Sequence, residues 1–103
     1  DAKVVGFVSY GDFRDSATIA GEIFALYVLK DYYGKGVGQQ LIQAAFAALD
    51  GYQEIILWVL EDNKRAIAFY EKMGFVFDGQ EKVIDLGKAV KEKRMIYIRN
   101  SNS

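Results

Sequence analysis

The sequence predicts an α/β fold: a mixed sheet with a central pair of parallel strands and two main helices. Two apolar runs typical of buried strands, at residues 22–29 and 54–60, alternate with helical patterns at 37–49 and 63–73. A strand–helix–strand succession of this kind favours parallel strands joined by a right-handed crossover. The length of 103 residues suits a single domain, residues 1–103.

The first half of the chain supplies the first edge of this sheet. Residues 4–10 read as a strand, and residues 11–21 are rich in turn-forming types. The run 22–29 is apolar on both faces, as expected of a central strand. The helical pattern at 37–49 then predicts a buried stripe at i, i+4 spacing, made of Val37, Leu41, Ala45 and Leu49.

The second half completes the sheet. Residues 54–60 form a continuous apolar run, and Trp58 within it is expected in the core. A strand is predicted from residue 75 to about residue 84. The charged stretch 86–92 predicts a polar loop or a short turn, with residues 88–94 solvated. Residues 95–98 predict a last strand. The flanking strands are expected to form antiparallel hairpins.

Composition excludes several classes of function. Lys and Arg total 13 against 14 Asp and Glu, a balance that argues against binding nucleic acid. The chain has no cysteine and no histidine, which excludes a disulfide framework and removes the commonest metal ligands, so we expect no metal. Any general base must therefore be a carboxylate, a tyrosine or a lysine. No apolar run approaches the roughly 20 residues that span a bilayer, and we expect a cytoplasmic protein without membrane contact.

The most informative segment is the glycine-rich turn between the run 22–29 and the first helix. Gly34, Gly36 and Gly38 let the backbone turn tightly and approach a ligand closely. The free amide groups at the start of the following helix favour an anion. The sequence therefore predicts a bound phosphate or diphosphate. Neither common nucleotide-binding loop fits. The nucleoside-triphosphate loop needs Ser or Thr after its lysine, but Lys35 is followed by glycine. The dinucleotide fingerprint needs a glycine at its sixth position, and this glycine is absent whether the fingerprint starts at Gly34 or at Gly36.

A second motif occupies the second helix. One helical face carries Ala66, Phe69, Tyr70 and Met73. Asn63 stands at the position of an N-cap, and Gly74 follows the last turn, where a left-handed residue closes a helix.

Together the two motifs closely resemble those of the GNAT acetyltransferase superfamily, over residues 4–98. The first family motif is Gln/Arg-x-x-Gly-x-Gly/Ala, whose small positions are filled here by Gly36 and Gly38. The second is Asn-x-x-Ala-x-x-x-Tyr-x-x-x-Gly-Phe, and every named position is matched, by Asn63, Ala66, Tyr70, Gly74 and Phe75. Tyr33 departs from the pattern, because it stands where the family has Gln or Arg and so removes a side-chain donor.

The resemblance implies a GNAT-type sheet whose parallel pair splays around a cleft for acetyl-CoA. The family's pantetheine contacts fall on the backbone of Leu26 and Val28. Its diphosphate contacts fall on the turn and helix start, and its second motif supplies two further cofactor positions. The implied cofactor-binding residues are Leu26, Val28, Tyr33, Gly34, Lys35, Gly36, Val37, Gly38, Gln39, Asn63 and Ala66.

Two residues are candidates for catalysis. The resemblance places the Tyr70 hydroxyl near the coenzyme sulfur, where it would protonate the departing thiolate, although Tyr70 is also a plausible core aromatic. Glu22 enters the central strand and is the candidate general base, although it also reads as a solvated charge at a strand end. Asn63 is either a helix cap alone or both a cap and a cofactor contact.

The resemblance implies an N-acetyltransferase in which a primary amine, on a small molecule or a peptide, attacks acetyl-CoA directly. The alternatives are a non-catalytic coenzyme A-binding module and a structural domain with a vacant cleft. The family has elements ahead of the strand at 4–10 that are missing here, so we expect a domain truncated at its amino terminus, with a naturally short relative as the alternative. Apolar surface beside that strand predicts a homodimer.

Overall fold

The structure, a computed structural model, describes residues 3–13 and 19–99. The predicted α/β class is confirmed, and part of the turn predicted at 11–21 lies outside the described residues. The elements in chain order are β1 (Gly6–Asp12), β2 (Gly21–Val28), a short 3-10 helix (Lys30–Tyr32), α1 (Val37–Ala48), β3 (Glu54–Leu60), α2 (Lys64–Lys72), β4 (Val76–Asp85) and β5 (Ala89–Ile98).

The five strands form one sheet in the order β1-β2-β3-β5-β4. β2 and β3 are parallel, as predicted, and all other neighbours are antiparallel. From β3 the chain crosses through α2 to the far edge as β4, and β5 then returns between the two. Neither helix in the part of the chain that the structure describes is long and apolar enough to cross a membrane.

The parallel ladder between β2 and β3 is short. It joins three residue pairs, from Gly21 opposite Ile55 to Ile23 opposite Leu57. β2 nevertheless continues to Val28, and β3 continues to Leu60. Beyond the last pair the two strands therefore diverge, and the end of β2 keeps hydrogen-bonding groups on the side that faces β3.

A bulge lies in β2 where this divergence begins. Ser9 of β1 pairs with Ala25, but its neighbour Tyr10 pairs with Ile23, so Phe24 is an extra residue in β2. The extra residue changes which side chains face the helices. Ile23 belongs to the core, and Leu26, three residues later instead of two, packs against the same core.

Both helices pack against one face of the sheet. On α1, the most buried side chains are Ile42 and Ala45, each fully enclosed, whereas Val37 and Leu41 are only partly buried. The predicted stripe is therefore partly wrong. A period of 3.6 residues places Ile42, Ala45 and Leu49 on one line, which a strict i, i+4 pattern misses. The core cluster consists of Ile23, Ile42, Ala45, Leu49, Ile55, Leu57, Val59, Phe75 and Met95.

Two other boundaries differ from prediction. β1 continues to Asp12, because its ladder with β2 extends to Gly21. Of the polar loop or short turn predicted at 86–92, the short turn is present but covers only residues 86–88, and β5 begins at Ala89. The charged side chains of β5 made its first half look like a loop in the sequence, but in the fold they form ion pairs with neighbouring residues. These pairs are Lys82–Glu92 at 3.6 Å, Lys91–Glu81 at 3.3 Å and Lys93–Glu61 at 3.7 Å.

The carboxyl end of α1 is held by Arg99, the last residue that the structure describes. Its Nη2 donates to the carbonyl oxygens of Phe46 at 2.6 Å and Leu49 at 3.0 Å. Its Nε donates to the carbonyl oxygen of Tyr52 at 2.8 Å. The two Nη2 bonds satisfy carbonyls at the end of the helix that have no partner within it, and they place a cation at the negative end of its dipole.

Candidate functional site

A cleft of about 530 Å³ opens where β2 leaves β3. Its walls are the end of β2, the turn before α1, the amino-terminal turn of α1 and one face of α2. The four residues predicted to share a face of α2 all line it: Ala66, Phe69, Tyr70 and Met73. Of the predicted cofactor positions, it brings together Leu26, Val28, Tyr33, Gly34, Gly36, Val37, Gly38, Gln39, Asn63 and Ala66.

The turn before α1 depends on two glycines in the left-handed conformation. Gly34 has φ 76° and Gly36 has φ 82°, a region that other residues adopt only at a cost. A Cβ atom at either position would meet nothing within 4 Å, so the requirement is conformational and the space in front is open. The first bond of α1 runs from the Gln40 amide to the Gly36 carbonyl at 3.0 Å. The amides of residues 37–39 therefore have no partner within the helix.

Gly38 serves a different purpose from the other two glycines. A Cβ atom there would lie 3.2 Å from Cζ of Phe69, closer than ordinary contact. The absence of a side chain lets the start of α1 approach α2 across the cleft. The third glycine of the motif is thus explained by packing between the helices as well as by its place in the cleft wall.

The amino terminus of α2 also faces the cleft. Asn63 caps it, because its Oδ1 accepts a hydrogen bond from the Ala66 amide at 3.2 Å. Capping is therefore confirmed, and the same residue lines the cleft. Two helix amino termini, each with a partial positive charge, meet at one opening.

The side chains around the cleft reinforce that charge. The described residues that line the cleft include the cations Arg65 and Lys72, and none of them is Asp or Glu. Arg65 reaches across to the turn, where its guanidinium carbon lies 3.7 Å from the centroid of the Tyr33 ring. The cleft is therefore suited to an anion. Neither cation was predicted for the site, although a basic residue such as Arg65 in the first turn of a helix is unusual enough to be a signal. Lys72 lies in the last turn, where cations are common.

Tyr70 lies in the cleft wall with its ring among other aromatics. The ring centroids are 5.6 Å from Phe69 and 5.9 Å from Phe75, both in edge-on contact. Burial raises the pKa of the Tyr70 phenol above its ordinary value, because the phenolate would lose solvation. The group therefore holds its proton throughout the neutral range and can donate it. Tyr70 packs against the core and reaches the cleft at once, so both of its predicted settings are present.

Two predicted site residues are not among those that line the cleft. The Lys35 ammonium points to Tyr32, 5.8 Å from its ring centroid. Glu22 lies in the paired part of β2, beside Ile56. Because Ile55 and Leu57 belong to the core, alternation along the strand puts Ile56 and Glu22 on the opposite face of the sheet. Trp58 shares that face, half-buried, with the Lys82 ammonium 4.2 Å from its ring centroid.

The chain is similar to known acetyltransferases along most of its length. The profile of the Acetyltransferase (GNAT) family matches residues 1–75. N-alpha-acetyltransferase 30 of Schizosaccharomyces pombe is 38% identical over 66 residues, which are 62% of this chain and 44% of that protein. Peptidyl-lysine N-acetyltransferase YjaB of Salmonella typhimurium is 37% identical over 73 residues, 71% of this chain and 48% of that protein.

Solved structures share the fold. PH1933 from Pyrococcus horikoshii OT3 superposes with a TM-score of 0.78 at 33% identity, over 95% of this chain and 60% of that one. The NatC complex bound to Gag peptide and CoA gives a TM-score of 0.76 at 22% identity, over 93% of this chain and 62% of that one. The chain belongs to the GNAT acetyltransferase family, and it spans about half the length of these two curated relatives.

The raised pKa of Tyr70 predicts a pH dependence of stability. Below about pH 10, the ordinary tyrosine pKa, Tyr70 is neutral in the folded and unfolded chains alike. Above that pH the unfolded chain loses the Tyr70 proton while the folded chain keeps it, so the folded state loses relative stability until its own pKa is passed. Between pH 8 and pH 10.5, the free energy of unfolding measured with urea should fall more for wild type than for Tyr70→Phe. Equal losses in the two proteins would contradict the buried setting of this hydroxyl.

Proposed function

We propose that the cleft holds acetyl-CoA and that the protein containing this chain transfers the acetyl group to a primary amine. The observation that carries the proposal is the convergence of two helix amino termini and a left-handed glycine turn on the gap between diverging strands. The turn amides suit the diphosphate, which needs several donors and a positive field. The unpaired edge of β2 at Leu26 and Val28 suits the amide-containing pantetheine arm, which can extend the ladder as a strand would.

The transfer we propose is direct. The amine nitrogen attacks the thioester carbonyl carbon, the carbonyl oxygen takes negative charge, and the carbon–sulfur bond then breaks. Backbone donors near Val28 would stabilise the oxygen, because fixed amides aimed at developing charge lower the barrier. Holding the thioester and the amine together in one cleft would raise the rate of transfer further, because it replaces a bimolecular encounter with a reaction between bound groups.

Tyr70 is the proposed general acid. It lines the cleft and keeps its proton at neutral pH, because burial disfavours the phenolate. The thiolate that leaves would take that proton, and a proton from solvent would then restore the phenol. The ring neighbours of Tyr70 limit how far the hydroxyl can move, which suits a group that must meet one sulfur atom.

Glu22 remains our proposal for the base that accepts the amine proton, with a changed geometry. Four residues separate it from Leu26, roughly 13 Å along an extended strand, and its side chain is on the face of the sheet away from the helices. A direct contact with an amine deep in the cleft is therefore unfavourable, and we propose that water carries the proton to Glu22.

The acceptor class we propose is a primary amine on a small molecule or a peptide. Two of the relatives are, by name, an N-alpha-acetyltransferase and a peptidyl-lysine N-acetyltransferase. We also propose that the protein is a homodimer. Phe7 and Tyr27 are each 50% exposed, and their rings lie tilted against each other with 5.8 Å between the centroids. Val4 and Tyr10 are also exposed, at 78% and 44%, so the segment around the edge strand β1 presents apolar surface that a second copy would cover.

A non-catalytic coenzyme-binding module is the second candidate. Arg65 and Lys72 favour binding of an anion whether or not transfer follows. In addition, the base proposed for transfer is outside the cleft. The two experiments below separate binding from turnover.

Binding is tested by Gly36→Asp, with Gly51→Asp as a control for the added charge and bulk. Both glycines are exposed with open space around them, and only Gly36 lines the cleft. We expect acetyl-CoA to raise the melting temperature of wild type and of Gly51→Asp, because a ligand that binds the native state stabilises it. Gly36→Asp should lose the shift, since a carboxylate and a strained backbone would stand where the diphosphate lies. Equal shifts in all three proteins would place the ligand elsewhere.

Transfer is tested by Tyr70→Phe in the full protein with an acceptor amine. We expect kcat to fall roughly 100-fold, the usual scale of a general acid. The dissociation constant of acetyl-CoA should stay within a factor of two or so, because the ring and its packing remain. The measurement is steady-state thiol release together with calorimetric binding. An unchanged kcat would leave Tyr70 as a packing residue and remove it from the mechanism.

A further inference from the structure

Arg65 and Tyr33 form a contact that spans the mouth of the cleft. The Arg65 guanidinium carbon is 3.7 Å from the centroid of the Tyr33 ring, the separation of a close face-to-face stack. Tyr33 belongs to the turn before α1, and Arg65 belongs to the first turn of α2. Both residues line the cleft, and both side chains are exposed at its rim.

The stack leaves the hydrogen-bonding edge of Arg65 available. A guanidinium carries five N–H donors in its plane, and a ring under its face uses none of them. The other two described arginines have acceptors: Arg94 donates to Asp78 at 2.7 Å, and Arg99 donates to backbone carbonyls. Among the ion pairs of residues 3–13 and 19–99, none includes Arg65.

Arg65 also stands where a cation is electrostatically unfavourable. The amino-terminal turn of a helix carries partial positive charge and favours acidic residues. The first turn of α2 has no acidic residue, and Lys64 and Arg65 are its first two residues. A bound anion would reverse the sign of this interaction. The position of the guanidinium is therefore explained by a ligand rather than by the stability of the helix.

We propose that Arg65, held in place by the Tyr33 ring, binds a phosphate group of the coenzyme. This inference rests on the proposed function and adds a residue to it. Tyr33 stands where the family resemblance leads us to expect Gln or Arg, so the turn lacks its side-chain donor. Arg65 supplies a donor from the neighbouring helix, and Tyr33 acts as the positioning residue that orients it. Two phosphate sources share this chemistry: the diphosphate and the ribose 3′-phosphate.

The test measures binding of CoA and of 3′-dephospho-CoA by calorimetry to the 103-residue chain. We expect Arg65→Gln to raise the dissociation constant of CoA about tenfold, the scale of one charge-assisted contact. Lys64→Gln is the matched control, because it removes the same charge from the adjacent exposed residue, which is not among those lining the cleft. It should change binding by less than about twofold, since an exposed charge is screened.

The two ligands identify the phosphate. If Arg65 binds the 3′-phosphate, Arg65→Gln and wild type will bind 3′-dephospho-CoA equally. If it binds the diphosphate, the tenfold loss will persist with that ligand. Either result supports the proposal. A loss no larger with Arg65→Gln than with Lys64→Gln would overturn it. A wild-type chain that binds neither ligand would instead overturn the proposed function, and this inference with it.

The role of Tyr33 is tested by a double-mutant cycle. Tyr33→Phe keeps the ring face and should keep CoA affinity, whereas Tyr33→Leu should weaken it. In the Arg65→Gln background, Tyr33→Leu should cause no further loss, because the residue it orients is gone. Additive losses would contradict a positioning role. Thermal unfolding of each unliganded variant separates weaker binding from a damaged fold.

Discussion

The arrangement of this protein depends on the early end of hydrogen bonding between its two central parallel strands. A strand inside a sheet normally pairs on both sides, because unpaired backbone groups away from water are costly. Here β2 pairs with β3 only as far as Ile23 and Leu57. The bulge at Phe24 turns the remainder of β2 so that Leu26 still packs on the core while the strand leaves its neighbour. The resulting gap is the candidate site, and its walls are strands and helices that also build the fold.

The free energy of binding an anion in this gap would be the sum of many small contributions. Each net hydrogen bond to a backbone amide contributes about 0.5–1.5 kcal/mol. A charge at a helix terminus contributes about 0.3–1 kcal/mol. Several amides of the turn and of α1 therefore outweigh either helix dipole, and the dipoles and cations select for negative charge. Loss of one side chain should weaken such a site only moderately. A group that blocks the amides should remove binding altogether, since it affects all of them together.

The local motifs could be predicted from sequence because each has a local physical cause. Gly34 and Gly36 adopt left-handed conformations that glycine tolerates, and Asn63 caps the helix it precedes. The face of α2 that lines the cleft followed from helical spacing alone. By contrast, β5 carries charges that pair with nearby residues, so its polar pattern predicted a loop. Strand pairing joins residues that are distant in sequence. The hydrophobic pattern of one segment therefore cannot predict which segment it pairs with.

The placement of side chains around the site depended on tertiary features that no motif records. A single extra residue in β2 decides which of its side chains face the helices, and the spacing of apolar residues in a continuous run does not reveal it. Glu22 was predicted for the site because it enters the central strand, yet the ladder places it on the other face. Arg65 was missed because its relation to Tyr33 exists only once α2 has crossed to the turn.

Amide hydrogen exchange, followed by NMR with and without CoA, tests the central claim most directly. If the coenzyme completes the unpaired edge of β2 and rests on the start of α1, exchange should slow at residues 26–28 and 36–39. Exchange in the distant β4–β5 hairpin, at residues 81–91, should remain unchanged. Protection confined to other elements, or spread evenly over the chain, would contradict the claim that the divergence of β2 from β3 creates the site.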